Sequence, residues 1–166
     1  MIAALVTFFS GGCRLGDLSF KEDERVDIVA PGDRDKVSLP FDVRWTVEGF
    51  EVVGADGSDR KDAGYFAVLL DTTPMPPGAD LEYFARDDTS CVRTPGCPDR
   101  QYLADRNIYV TEEASFRVET LADTRPTDRP GAVDDHEITI VLLNGRSQRI
   151  GEGAFRVKVI VDRGQG

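Results

Sequence analysis

Basic charge, histidine and long apolar runs are scarce in this chain, and each shortage excludes something. Lysine and arginine number 20 against 30 aspartates and glutamates, a formal net charge of -10. Phosphate backbones are bound by a basic face, so nucleic acid is not an expected partner. An acidic body also repels anionic lipid headgroups, so any membrane attachment must come from an anchor and not from the domain surface. The one histidine, His136, leaves little material for a nucleophile and base, and no GxSxG elbow surrounds a serine such as Ser115. Thirty carboxylates offer many pairs, and for that reason no glycosidase-like pair stands out. Copper sites are built from clusters of His and Met, and beyond the first residues only His136 and Met75 are present. The expectation is a protein that is not an enzyme.

Cysteine is sparse too, three in 166 residues, yet each one is informative. Cys13 closes the run from Met1 to Gly12, which carries no charge, and the chain turns polar at Arg14 and Asp17. With about ten apolar residues the run is too short for a spanning helix, which needs about 20. It resembles the signal peptide of a bacterial lipoprotein, in which the cysteine is acylated and becomes the mature N-terminus. The resemblance implies a signal segment over residues 1–12, lipidation at Cys13, a polar tether over residues 13–25 and a place on a membrane of the cell envelope. A flexible tether of that length spans about 20 Å on average, enough to hold a domain clear of headgroups.

Cys91 and Cys97 bracket Val92 to Gly96, where Pro95 and Gly96 suit the two central positions of a type II turn. With Cys13 acylated these two remain as a pair, and an oxidising compartment favours a disulfide between them. A metal or redox pair is the weaker reading, because CxxC spacing is missing and no histidine is near. So short a closed loop gives only about 2 kcal/mol by chain entropy, so the bridge is expected to shape a loop and not to hold the domain.

From Val26 onward the period is two. Phe41, Val43, Trp45 and Val47 alternate with Asp42, Arg44, Thr46 and Glu48, an apolar row backed by a polar row, as in a half-buried strand. Phe155, Val157, Val159 and Val161 repeat the pattern, and Phe116–Val118 and Val26–Ile28 repeat it more weakly. Tyr65–Leu70 and Ile138–Leu143 are apolar on both faces and read as central strands with packing on each side. Asn144-Gly145 is the strongest short hairpin signal, so the strands near 138 and 155 are expected to be neighbours. Helical signals are few, and residues 98–105 carry the best of them. About seven short strands separated by Gly, Pro and Asp indicate a sandwich, with Trp45 as a core anchor.

The openings Val26-Asp-Ile-Val-Ala-Pro31 and Leu39-Pro-Phe-Asp-Val-Arg-Trp45, then Gly64 to Asp71 and the closing hairpin through Asp162, resemble bacterial immunoglobulin-like domains. That resemblance implies an all-β, immunoglobulin-like antiparallel β-sandwich over residues 26–163, with one long disulfide-braced loop at 72–107. It implies a binding or structural module, with an envelope protein or polysaccharide as partner, and supports fold more than function.

Three places carry candidate sites. A loop as long as 72–107 inside a compact domain is usually functional or locally folded. Its scattered apolar residues suit a flap over one sheet, and Pro76, Tyr83, Phe84 and Tyr102 are the candidate partner-binding residues. Asp56, Asp59 and Asp62 set three carboxylates in one loop, the donor type that calcium prefers, although the spacing is not that of an EF-hand. Aspartate also forms turns, and a solvated turn is the first reading. His136, preceded by Asp134 and Asp135, reads as a partly exposed residue at the start of a strand. The alternative function is a calcium-binding or hydrolytic sandwich that uses these acidic loops and His136.

Overall fold

Alternation of apolar and charged side chains is what divides this chain between two sheets. The computed structural model describes residues 24–125 and 133–163. In chain order the strands are β1 (Val26–Ala30), β2 (Asp35–Val37), β3 (Phe41–Val47), β4 (Glu51–Val52), β5 (Ala63–Leu70), β6 (Ile108–Thr111), β7 (Ser115–Val118), β8 (Asp135–Leu143) and β9 (Phe155–Val161). Between β5 and β6 lie a 3-10 turn (Leu81–Ala85) and two short helices, α1 (Thr89–Val92) and α2 (Arg100–Ala104). The smaller sheet runs β1-β3-β7, and the larger runs β2-β9-β8-β5-β4 with β6 also paired to β5.

The fold is therefore all-β in two sheets, with more strands than the sequence period reveals. The additions are β2, with three residues, and β4, with two, both too short to display a period. Both pair in parallel, β2 with β9 and β4 with β5, whereas the longer ladders are antiparallel.

In β3 the period of two does what it predicts. Val43 and Trp45 are buried while Asp42, Arg44 and Thr46 face outward. Across the interior Trp45 meets Phe66 edge-on at 5.2 Å between ring centroids. Phe66, Val68 and Leu70 of β5 and Ile138, Ile140 and Leu142 of β8 complete this core with Val157 and Val159 of β9. Each such side chain is worth about 1.5–3 kcal/mol when fully buried, so this layer carries most of the apolar stabilisation.

Alternate residues of the same two strands face the other way. Tyr65, Ala67, Leu69, Val141 and Leu143 form a second core with Met75, Leu103 and Ile108. This is why β5 is buried along its whole length, and why its sequence shows no polar row. The β5 and β8 backbones approach so closely at one point that a Cβ at Gly64 would overlap the Leu143 carbonyl.

The β8 and β9 strands are neighbours, as the Asn-Gly signal implies, but the turn differs from a two-residue hairpin. Asn144 N donates to Gln148 O and Ser147 N donates to Asn144 O. Ser147, at φ 65°, takes the left-handed position in place of the Asn-Gly pair. The Asn144 carboxamide oxygen accepts from Arg146 N and Gln148 N, so the side chain closes a wider turn locally.

Candidate functional site

The chain leaves β5 at Asp71, covers the outer face of the larger sheet, and returns at β6. Three aspartates punctuate the covering segment. Asp80 accepts from Glu82 N, Asp88 from Ser90 N and Cys91 N, and Asp99 from Tyr102 N. Each satisfies amide groups that a short helical turn leaves open. Hydrogen bonds from the Cys91 and Ser90 amides, set against partial burial, hold the Asp88 carboxyl below the usual range. Between α1 and α2 the chain reverses at Thr94–Cys97, with Cys97 N on Thr94 O and Gly96 at φ 81°. Cys91 and Cys97 form a disulfide with Cα atoms 5.3 Å apart.

Arg149 fastens this cover to the sheet. It is buried, and its guanidinium donates to the carbonyls of Met75 (2.5 Å), Glu152 (2.8 Å) and Gly153 (3.1 Å). Burial holds its pKa below the ordinary arginine value. The backbone reinforces the join, with Gly78 N on Arg149 O and Arg149 N on Ala79 O.

A groove of about 570 Å³ lies between this cover and β6. Tyr65, Leu81, Leu103 and Val110 supply its apolar wall, and Asp99, Arg100, Glu112 and Glu113 its charged rim. It continues into a second depression of about 300 Å³, which shares Arg100, Leu103 and Val110 and adds Tyr109 and Phe116. The Tyr65 hydroxyl is engaged with Ser147 Oγ at 2.6 Å, and burial raises its pKa above the ordinary tyrosine value.

The four loop residues singled out from the sequence lie elsewhere on the cover. Pro76 is exposed, while Tyr83 and Phe84 are half-buried against the second core and meet edge-on at 5.7 Å. Arg86 stacks on Tyr83 at 3.9 Å and Arg106 on Tyr102 at 3.5 Å. The Tyr102 hydroxyl donates to Asp88, and with Phe84 it borders a separate shallow depression. The groove residues Leu81, Leu103 and Val110 look in sequence like ordinary core positions. Nothing short of the register of β6 on β5 distinguishes them.

His136 overturns its expected exposure. Its side chain is fully buried. Nδ1 lies 2.6 Å from Asp71 Oδ2, and because a carboxylate only accepts, this nitrogen carries the proton. Nε2 stands 3.2 Å from Asp134 Oδ1, within ion-pair reach but out of line for a hydrogen bond. Asp134 is itself buried and accepts from Thr124 N and Oγ1 and from Arg163 Nε at 2.5 Å. Burial pushes the Asp134 carboxyl up, but Thr124, Arg163 and His136 together outweigh it and hold the group below the usual range. Asp71, at φ 52°, ends β5 in a left-handed conformation, and its Oδ1 takes Glu137 N. The histidine thus fastens the end of β5 to β8, and Asp134 fastens β8 to Arg163.

The acidic loop does not gather its carboxylates. Asp56 accepts from Ser58 N at 2.9 Å, and hydrogen bonding to Ser58 keeps it below the ordinary carboxylate value. Asp59 accepts from Asn144 Nδ2 and faces Arg146, and Asp62 pairs with Arg60. Each therefore closes a separate turn or pair. Among the described residues no cluster of three or more His, Cys, Asp or Glu forms a metal-ligand set. No helix there is long and apolar enough to cross a membrane. Cys13 lies outside the described residues. Set beside protein-family models, curated proteins and solved structures, the chain matches none.

Proposed function

We propose that this chain is a non-enzymatic binding module of the bacterial cell envelope, an immunoglobulin-like sandwich held to a membrane through acylated Cys13. The uncharged run up to Cys13 supports the anchor, and the strongly acidic body supports attachment by lipid and not by surface charge. The observation that carries the binding role is the groove of about 570 Å³, apolar in its wall and charged at its rim. Binding sites commonly combine an apolar lining with a few polar groups in this way. The Cys91–Cys97 bridge is read as a brace for the segment 72–107 that forms one wall. His136 supports a structural role, because Nδ1 is hydrogen-bonded to Asp71, Nε2 lies beside Asp134, and the side chain has no access to solvent.

Two measurements test this. Mass spectrometry of the mature protein is expected to find an acylated Cys13 as the first residue, and an unmodified chain retaining residues before it contradicts the anchor. A photoreactive residue at Gln101, beside the groove, is expected to cross-link an envelope component from the full-length protein. The same probe at Arg60, on the acidic loop, is expected to capture none. Equal capture from both positions contradicts a site at the groove.

A further inference from the structure

We propose that the free edge of β6 receives an extended, basic segment of a partner protein as an added strand. The inference rests on the reading of the chain as a binding module and names how and what it binds. Among the described residues β6 pairs on one side only, with β5. Leu70 N donates to Asn107 O, which sets the phase of that ladder. Tyr109 and Thr111 therefore exchange hydrogen bonds with β5, while the N–H and C=O groups of Ile108 and Val110 point away from it.

Exposed strand edges are hazards that proteins usually blunt with short strands, charges, prolines or bulges. Elsewhere among the described residues they are blunted. β1 has a register shift between Ile28 and Ala30 and carries Asp27. β2 has three residues, two of them charged, and β4 is the two-residue Glu51–Val52. β7 carries Arg117, which pairs with both Asp42 and Glu119. β6 reads Ile-Tyr-Val-Thr, with no charge, no proline and no register shift. Among the described residues it is the sheet edge without a charge or register shift; Ile108 is buried with Leu103 of α2, Val110 and Thr111 are half-buried, and the depression of about 300 Å³ runs beside them.

The walls of that depression fit a strand. Side chains of an added strand would alternate between two surfaces. One is formed by Leu103 and Ala104 of α2, the other by Tyr109 and Phe116, whose rings lie 4.8 Å apart. Main-chain bonds would give affinity and the two walls selectivity, as in other complexes formed by strand addition. Charge selects the class of segment. The adjoining rim has Asp99, Glu112 and Glu113 against Arg100 alone, on a chain of net charge -10. A basic segment is attracted to such a rim and an acidic one repelled.

The test uses the full-length protein and the synthetic peptide acetyl-Lys-Val-Thr-Val-Lys-amide, followed by amide chemical shifts and hydrogen exchange. At peptide concentrations ten times the dissociation constant, exchange at Ile108 and Val110 is expected to slow roughly tenfold. Proline is tolerated where an edge N–H faces away from the sheet. Val110→Pro is therefore expected to leave the melting curve in place and to weaken peptide binding at least tenfold. Since that variant perturbs a strand, Glu112→Lys with Glu113→Lys, on exposed positions, gives a second check and is expected to weaken binding too. Shifts at Leu81 and Leu103 without protection of Ile108 and Val110 would overturn strand addition while leaving the groove as a site. An absence of shifts anywhere would overturn both. Equal binding of the peptide with Glu in place of Lys would overturn the basic class. Protection without peptide would also overturn the proposal: if it rises with protein concentration a second copy fills the edge, and if it does not, another part of the same chain does.

Discussion

The His136 cluster and the β6 edge both place polar groups beside the core, and they differ in how those groups are satisfied. Around His136 each carboxylate accepts hydrogen bonds: Asp71 takes Glu137 N and Nδ1 of the ring, and Asp134 takes Thr124 and Arg163, while His136 Nε2 stands 3.2 Å from Asp134 without a hydrogen bond. Along β6, the half-buried Val110 turns its amide and carbonyl groups toward an open depression. Buried polar groups that are satisfied hold elements in place, whereas unsatisfied ones at a surface await a partner. The difference supports the proposal that His136 and its carboxylates hold the fold and that recognition uses backbone and apolar side chains along β6.

The comparison breaks most visibly at Asp134. Asp134→Ala removes the buried carboxylate that Arg163 and His136 share, and loss of one partner of a buried pair costs about 3 kcal/mol or more. For a domain of this size that lowers Tm by roughly 10 °C, measurable by calorimetry. Its pH dependence follows from sign. The folded-state carboxyl is held below its unfolded value, so its contribution is full above about pH 4 and disappears as pH falls through the lower folded value. Wild-type Tm is expected to fall over that acidic interval, and Asp134→Asn to flatten the fall.

A smaller effect is expected from the disulfide. Reducing Cys91–Cys97 removes about 2 kcal/mol by chain entropy, and hydrogen exchange should show faster opening within residues 72–107 while β3, β8 and β9 stay protected. Uniform loss of protection would mean that the bridge holds the whole domain. The smallest effect belongs to the acidic loop. Asp59 is exposed and pairs with Arg146, so Asp59→Asn is expected to change stability by less than about 1 kcal/mol. Millimolar calcium should leave Tm unmoved in wild type and variant alike. A calcium-dependent rise that Asp59→Asn abolishes would restore the metal reading.

Much of the fold was legible because it is written in short-range pattern. The two-residue period located β3 and β9, the double-sided apolar runs located β5 and β8, and Trp45 declared itself as a core anchor. The apolar residues of 72–107 correctly implied a cover for the second face of β5. What escaped depends on residues distant in sequence. Asp134-Asp135-His136 reads as a polar strand start. Its burial is decided by Asp71 at the end of another strand and by Arg163 beyond β9. Asn144-Gly145 forecast the β8–β9 neighbourhood but not the geometry, because Gln148 and Ser147 close a wider turn. The groove was illegible for a similar reason: Leu103 and Val110 look like any core residue until the ladder on β5 shows which side of β6 is free.

The most direct measurement sets two variants side by side against the same basic peptide, with binding isotherms and melting curves recorded for each. Val110→Pro is expected to lose the peptide and keep its Tm, and His136→Ala to lose Tm and, below its melting transition, keep the peptide. The reverse pattern, with binding lost at His136 and retained at Val110, would contradict the assignment of recognition to the β6 edge.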